Sequence, residues 1–178
     1  MKLPKFSVSG LSSKLVMSII KWSLRRRRRT IKEKFDRSLP VADLFLDRWD
    51  IAQFNNFGKG TSCYASVLVI GSVSVGEDCW IGPNAILDGS GNLRIGNKVQ
   101  ISAGVQIYTH DSVIKAISSS HKLIGRMPTA IGDNVYIGPN SIIQKGVTIG
   151  NNAVIGALSL VNENVPDGGK YYGTKLHE

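Results

Sequence analysis

The sequence predicts an all-β solenoid, a parallel β-helix built from six-residue units and preceded by a basic helical segment. Three observations carry this. Ile131, Ile137, Ile143, Ile149, Ile155 and Val161 recur every six residues without a slip. A second small or branched slot follows each by four residues, at Val135, Ser141, Val147, Ala153, Ser159 and Val165. The third residue after each aliphatic is Asn134, Asn140, Gly146, Asn152, Leu158 or Asn164. Asn and Gly enter positive φ most cheaply, so this slot reads as a corner. A short strand plus a corner cannot bury its own apolar face, so units stack, three to a triangular turn, with the aliphatics inward.

Composition agrees. A chain of 178 residues with 42% hydrophobic and 7% aromatic residues suits a core of Ile, Val and Leu, and can bury one. The 19 Gly fall at corners, which excludes a collagen-like or disordered chain. The net charge of +9 is concentrated: residues 1–50 carry 13 Lys/Arg against five Asp/Glu, and the remainder is nearly neutral. Cys63 and Cys79 fall on inward slots of the repeat, so they read as buried reduced thiols of a cytoplasmic protein.

In chain order, SKLVMSIIKWSLRRRRRTIKEKF reads as a helix from an N-cap at Ser12 or Ser13. Its apolar part is too short and interrupted to span a bilayer. Charge follows the apolar run and no small-residue cleavage site is evident, so it does not read as a signal peptide. Three readings stay open for Arg25 to Arg29: a solvated helix packed on protein, an anionic membrane surface contacted through residues 12–35, or nucleic acid. No nucleic-acid-binding motif accompanies the run, which disfavours the last. After Pro40, VADLFLDRWDIAQF reads as a second short helix.

The repeat begins near Phe57 and passes through Cys63, Val69, Val75, Ile81 and Leu87. A two-residue slip at 88–91 follows, and the repeat resumes at Ile95, Ile101 and Ile107. Val113 fits one more rung, but the next certain one is Ile131, leaving 109–128 as an excursion. Fifteen rungs, about five turns, are expected. The organisation is therefore a basic N-terminal region (1–54), a coil (55–170) and a tail (171–178).

A regular solenoid face has little concavity, so chemistry is sought where the pattern breaks. The excursion opens with Tyr108-Thr109-His110-Asp111 directly after the Ile107 rung. Histidine is the usual general base near neutral pH, whereas a lone loop histidine is more often merely solvated.

The hexads, the interrupting loop and a Thr-His just after a rung resemble the left-handed β-helix acyltransferases of the hexapeptide-repeat superfamily. Within it, the galactoside, maltose and surface-polysaccharide O-acetyltransferases are the most similar. The resemblance covers about 55–170 and implies a left-handed parallel β-helix, a homotrimer, and acetyl-CoA as acyl donor without a metal. It implies that His110 takes the proton from a sugar hydroxyl that attacks the thioester directly. Asp111 is a candidate to orient the ring, although consecutive residues on extended chain point apart, and a backbone carbonyl is the alternative. The resemblance makes Asn84, Asp88 and Tyr108 acceptor-binding candidates. It sets Tyr136, Gly138, Pro139 and Ala157 along the cofactor groove. Two family positions depart: the usual Thr-Lys reads Asn162-Glu163, and the usual tail reads Gly173-Thr-Lys-Leu-His177. Lys170 or Lys175 is then expected to serve the cofactor phosphates.

Other classes are a non-catalytic β-helix scaffold and an N-acetyltransferase for an amino sugar. A γ-type carbonic anhydrase needs three histidines around zinc. His110, His121 and His177 do not have that spacing.

Overall fold

Stacked six-residue units need each rung to hydrogen-bond to the rung one turn away, and the backbone pairing shows this throughout the coil. The computed structural model describes residues 13–118 and 124–177; His121 lies outside the described residues. The elements are α1 (Ser13–Phe35), α2 (Ala42–Phe45), α3 (Arg48–Phe54), β1 (Ser62–Cys63), β2 (Leu68–Val75), β3 (Trp80–Ile81), β4 (Ile86–Ile95), β5 (Gln100–Ile101), β6 (Gln106–Ile107), β7 (His110–Asp111), α4 (Val113–Ile117), β8 (Gly125–Arg126), β9 (Thr129–Ile131), β10 (Tyr136–Ile137), β11 (Ile142–Ile143), β12 (Thr148–Ile149), β13 (Val154–Ile155), β14 (Leu160–Val161), β15 (Lys170–Tyr172) and β16 (Lys175–His177).

The chain divides after Phe45 into two compact units. In the first, α1 covers the residues read as helical, and Arg27 Nε donates to the Leu44 carbonyl at 3.2 Å. The second helix of the sequence reading is two helices. Asp47, at φ −77° and ψ 143°, breaks the run and caps α3 by accepting from Trp49 N–H at 3.0 Å. The boundary expected at residue 54 moves accordingly. α3 belongs to the coil unit, where Ala52 joins Phe57 in the core.

The coil has three faces. The first stacks β1, β3, β5, β10, β13 and β15 in parallel register. The second stacks the start of β2 and β4 with β6, β11 and β14. The third stacks the ends of β2 and β4 with β9, β12 and a single bridge to Val165. Val165, read as a small slot, is thus a rung, and Tyr171 is another. The two lengthen the coil to close to six turns rather than five. The tail assigned to 171–178 begins inside β15, whose Tyr171 is fully buried, and β16 returns antiparallel to it.

The inward aliphatics form one core, with Ile81, Leu87, Ile101, Ile107, Ile137, Ile143, Ile155 and Val161 fully buried. Corners take positive φ at Asn134, Asn140, Gly146, Asn152 and Leu158, as the repeat predicts. Asn164 is not among the positive-φ residues; its side chain instead accepts from Thr148 N–H at 2.8 Å. Cys63 and Cys79 are buried, and burial pushes the Cys79 thiol up.

Both irregularities lie at the corner between the second and third faces. The register of β2 on β4 slips between Gly71 and Val73, which is the two-residue insertion at 88–91. The excursion leaves after β6 and returns before β9. Its base is closed by antiparallel β7 and β8, and by Met127 N–H on the Thr109 carbonyl at 2.9 Å. Val113, weighed as a rung, is instead more than half exposed in α4.

Candidate active site

Stacking of β4 on β6 sets Leu87 beside Ile107, so the residues that follow each strand meet at one corner. Asp88 and the Thr109-His110 pair come together there. Asp88 is fully buried, and its Oδ2 lies 2.6 Å from His110 Nδ1. The rest of the carboxylate is clamped. Oδ1 accepts from Ser90 Oγ at 2.6 Å and Ser90 N–H at 3.0 Å, and Oδ2 accepts from Thr109 N–H at 2.9 Å. The Thr109 hydroxyl donates to the Asp88 carbonyl at 2.8 Å and accepts from Gly91 N–H at 2.7 Å.

Burial alone would raise the Asp88 pKa. The Ser90 hydroxyl, Thr109 N–H, His110 and Ser90 N–H outweigh it and hold the carboxyl well below the usual carboxylate range. An ionised carboxylate only accepts, so His110 Nδ1 carries the proton and Nε2 is the basic nitrogen. The His110 side chain is 34% exposed, so the ring is oriented from beneath and open on its other side. With Nδ1 held by Asp88, Nε2 is the nitrogen placed to remove a proton.

Asp88, expected to touch the acceptor, therefore has a different place: it is buried under the ring it orients. Asp111, the sequence candidate for orienting that ring, points elsewhere and pairs with Lys145, whose hydrogen bond lowers its pKa. Thr109, the first residue of the Thr-His pair, completes the clamp with Ser90 and Gly91, which the sequence marks only as part of the slip. A Cβ on Gly91 would stand 2.5 Å from the Thr109 carbonyl oxygen, so only glycine fits under the excursion. The available signal was rung arithmetic, since the slip after Leu87 stands one turn from the excursion after Ile107.

The remaining candidates lie away from the ring. Tyr108 is half-buried, and its hydroxyl donates to Gln106 Oε1 at 2.8 Å. Asn84 is an exposed corner residue at φ 59°, with its N–H on Ser66 Oγ. It stands at the corner just before β4, four residues ahead of Asp88 and at most about 13 Å from it at roughly 3.3 Å per residue. Gly138, Pro139 and Ala157 share the Asn84 corner: Leu158 N–H donates to the Pro139 carbonyl, and a Cβ on Gly138 would meet Ala157 N at 2.5 Å. Tyr136 is 44% exposed on the first face, and Lys175 is exposed on β16 opposite Tyr172. A single chain thus brings His110 to Asp88, but leaves Asn84, Pro139 and Ala157 across the full width of the second face.

A cavity of about 480 Å³ lies among Glu77, Asn97 and Asp133, and another of about 330 Å³ lies between α3 and Gly58–Thr61. Neither includes His110. Among the described residues no group of three His, Cys, Asp or Glu is placed to hold a metal ion.

Comparison with known proteins agrees with this architecture. The hexapeptide repeat of succinyl-transferase matches residues 72–109, and the bacterial transferase hexapeptide (six repeats) matches residues 128–163. The chain is 43% identical over 99 residues to Protein CapG of Staphylococcus aureus, covering 53% of this chain and 58% of that one. It thus spans little more than half of that relative. A hexapeptide-repeat acetyltransferase of Vibrio cholerae, solved with acetyl coenzyme A, superposes with a TM-score of 0.65 at 25% identity, over 96% of this chain and 90% of that one. A maltose O-acetyltransferase of Clostridium difficile gives a TM-score of 0.54 at 26% identity, over 93% and 87% of the respective chains. In its repeat, its coil and these relatives the chain is similar to the hexapeptide-repeat acyltransferases, which are left-handed β-helix proteins.

Proposed function

We propose that the protein is an acetyl-CoA-dependent O-acetyltransferase acting on a hydroxyl of a sugar or glycan, in the building of a surface polysaccharide or lipopolysaccharide. The observation that carries the proposal is the Asp88–His110 pair, a buried anion holding a partly exposed imidazole in the tautomer that accepts a proton at Nε2. The acetyl-CoA complex of the Vibrio cholerae relative supports the donor, and the maltose O-acetyltransferase supports a sugar hydroxyl as acceptor. Such a donor suits the cytoplasm.

The chemistry needs few groups. Nε2 of His110 removes the acceptor hydroxyl proton as that oxygen attacks the thioester carbonyl. The tetrahedral intermediate collapses, the C–S bond breaks, and the imidazolium returns its proton to the departing thiolate. Asp88 stays ionised and stabilises the imidazolium between those two transfers.

Tyr136, Gly138, Pro139, Ala157 and Lys175 are proposed to carry the cofactor, and Asn84 and Tyr108 to touch the acceptor. Separation of these groups from His110 within one chain favours a site completed by a second copy. The outward side of the second face supports this, because Leu68 and Ile86 below Gln106, and Ile142 and Leu160 above it, make that row of side chains mostly aliphatic. A homotrimer joined on that face sets the His110 corner of one copy against a neighbour.

The test is release of free thiol from acetyl-CoA, corrected for hydrolysis, with and without candidate sugars. Mass spectrometry of the product follows, with mild-base lability separating an ester from an amide. Acceptor-dependent release of an ester is expected. Release of an amide selects the N-acetyltransferase, and no acceptor-dependent release selects the scaffold.

A further inference from the structure

The N-terminal unit has no part in the chemistry proposed for the coil. None of the 23 residues of α1 is buried. Met17, Ile19 and Trp22 are at least half exposed, and Ile20 is 39% exposed. From Lys14 to Lys34 the helix carries nine Lys/Arg, with Glu33 as its sole acid. At 100° per residue, Lys14, Ser18, Lys21, Arg25, Arg28 and Lys32 fall on one stripe. Ile19 and Ile20 fall on the far side together with Arg26 and Arg27, and Trp22 stands at its margin, about 80° round from Lys14. Arg26 follows Trp22 by one turn and lies 5.5 Å from the centre of its ring.

We infer that α1 lies in the surface of an anionic phospholipid bilayer, with Ile19, Ile20 and Trp22 at the acyl boundary and Arg25 to Arg29 among the headgroup phosphates. The helix supplies the two signals that stable surface binding needs, an apolar group and a polybasic run. Trp and Arg are the residue types that suit such a boundary, a flat ring at the headgroups and a long cation that reaches out to them.

Charge decides between this surface and other occupants. A second copy of α1 packed alongside would set five consecutive arginines against five more, with Glu33 the one acid of the helix to offset them. A nucleic acid would satisfy the arginines and leave Ile19 and Trp22 in water. Lipid alone satisfies both halves. No helix among the described residues is long and apolar enough to cross a membrane, so the contact is lateral. The inference is independent of acyl transfer.

The test is co-sedimentation of the full-length protein with vesicles of phosphatidylcholine alone and of phosphatidylcholine mixed with phosphatidylglycerol. Binding to the mixed vesicles alone is expected, weakening about tenfold or more from low to high salt. Replacing Arg25 to Arg29 together by Gln should lower partition by about 10²-fold or more. I19S with W22S, on exposed positions that the helix does not need for folding, should lower it by about tenfold or more. Light scattering and circular dichroism of the variants confirm an intact assembly and helix. Equal binding to both vesicle types, or partition unmoved by either variant, overturns the proposal. So does a change of oligomeric mass on I19S/W22S, which would assign the face to a second copy. Tighter binding to an RNA or DNA oligonucleotide than to the mixed vesicles overturns it as well.

Discussion

Asp88 and His110 are 22 residues apart in sequence and 2.6 Å apart in space, because both interruptions of the repeat open at the same corner of consecutive turns. A slip in one rung provides the buried carboxylate, and an insertion in the next provides the imidazole above it.

His110 is the group whose loss should hurt most. His110→Ala should lower kcat by roughly 10²–10⁴, the range for removing a general base. The Kd for acetyl-CoA, measured by calorimetry, should move little. An equally mild effect on kcat from Asp111→Asn and His110→Ala would remove His110 from the mechanism. Asp111 is bound to Lys145 and not to the ring.

Asp88→Asn keeps the shape of the side chain but sets an amide N–H toward donors from Ser90 or Thr109. Two donors facing each other cost about 1–3 kcal/mol in a buried site. The ring also loses its fixed tautomer, so kcat should fall by roughly 10²–10⁴. The pH dependence of stability has a definite sign. The folded carboxyl is held below its unfolded value of about 3.9, so its stabilisation is complete above that pH and is lost as pH falls toward the folded value. Denaturant melts should show a wild-type advantage over D88N that is flat from neutral pH to about pH 5 and shrinks below about pH 4.

Gly91→Ala forces a Cβ against the Thr109 carbonyl, a backbone atom held on Met127. The excursion base must shift to admit it, and the clamp on Asp88 shifts with it. Loss of about 1–3 kcal/mol of stability is expected, together with a fall in kcat larger than any change in KM for the donor. Hydrogen exchange at Thr109 and Met127 would localise the damage.

Light scattering should give three times the 19.3 kDa chain mass. Ile142→Arg, on the outward side of the second face, should split the assembly and abolish turnover while the core of each coil stays folded. A fully active monomer would refute both the trimer and the shared site.

Much of this was legible in the sequence. The rungs from Ile131 to Val161 could be read directly, because each inward slot must be aliphatic and each corner favours Asn or Gly. Tyr171 escaped that pattern, because an aromatic closes the core where no further turn covers it; its hydroxyl reaches the Leu160 carbonyl at 3.2 Å at the edge. The partner of His110 escaped for another reason. Local sequence offers Asp111, and only the stacking of turns shows that Asp88 stands beneath the ring.

The ladder of side chains along one corner has its own consequence. Asn97 accepts from Glu77 N–H, Asp133 from Asn97 N–H, Asn151 from Asp133 N–H and Asp167 from Asn151 N–H, at 2.6–2.8 Å. This edge is a spine of fixed pitch, and it has no slack for an added residue. The opposite edge, where Thr109 and Met127 are tied to each other, is a hem that can be let out. Because closing a longer loop adds only about 0.6 kcal/mol per doubling, the span between Asp111 and Gly125 can change length without disturbing the coil.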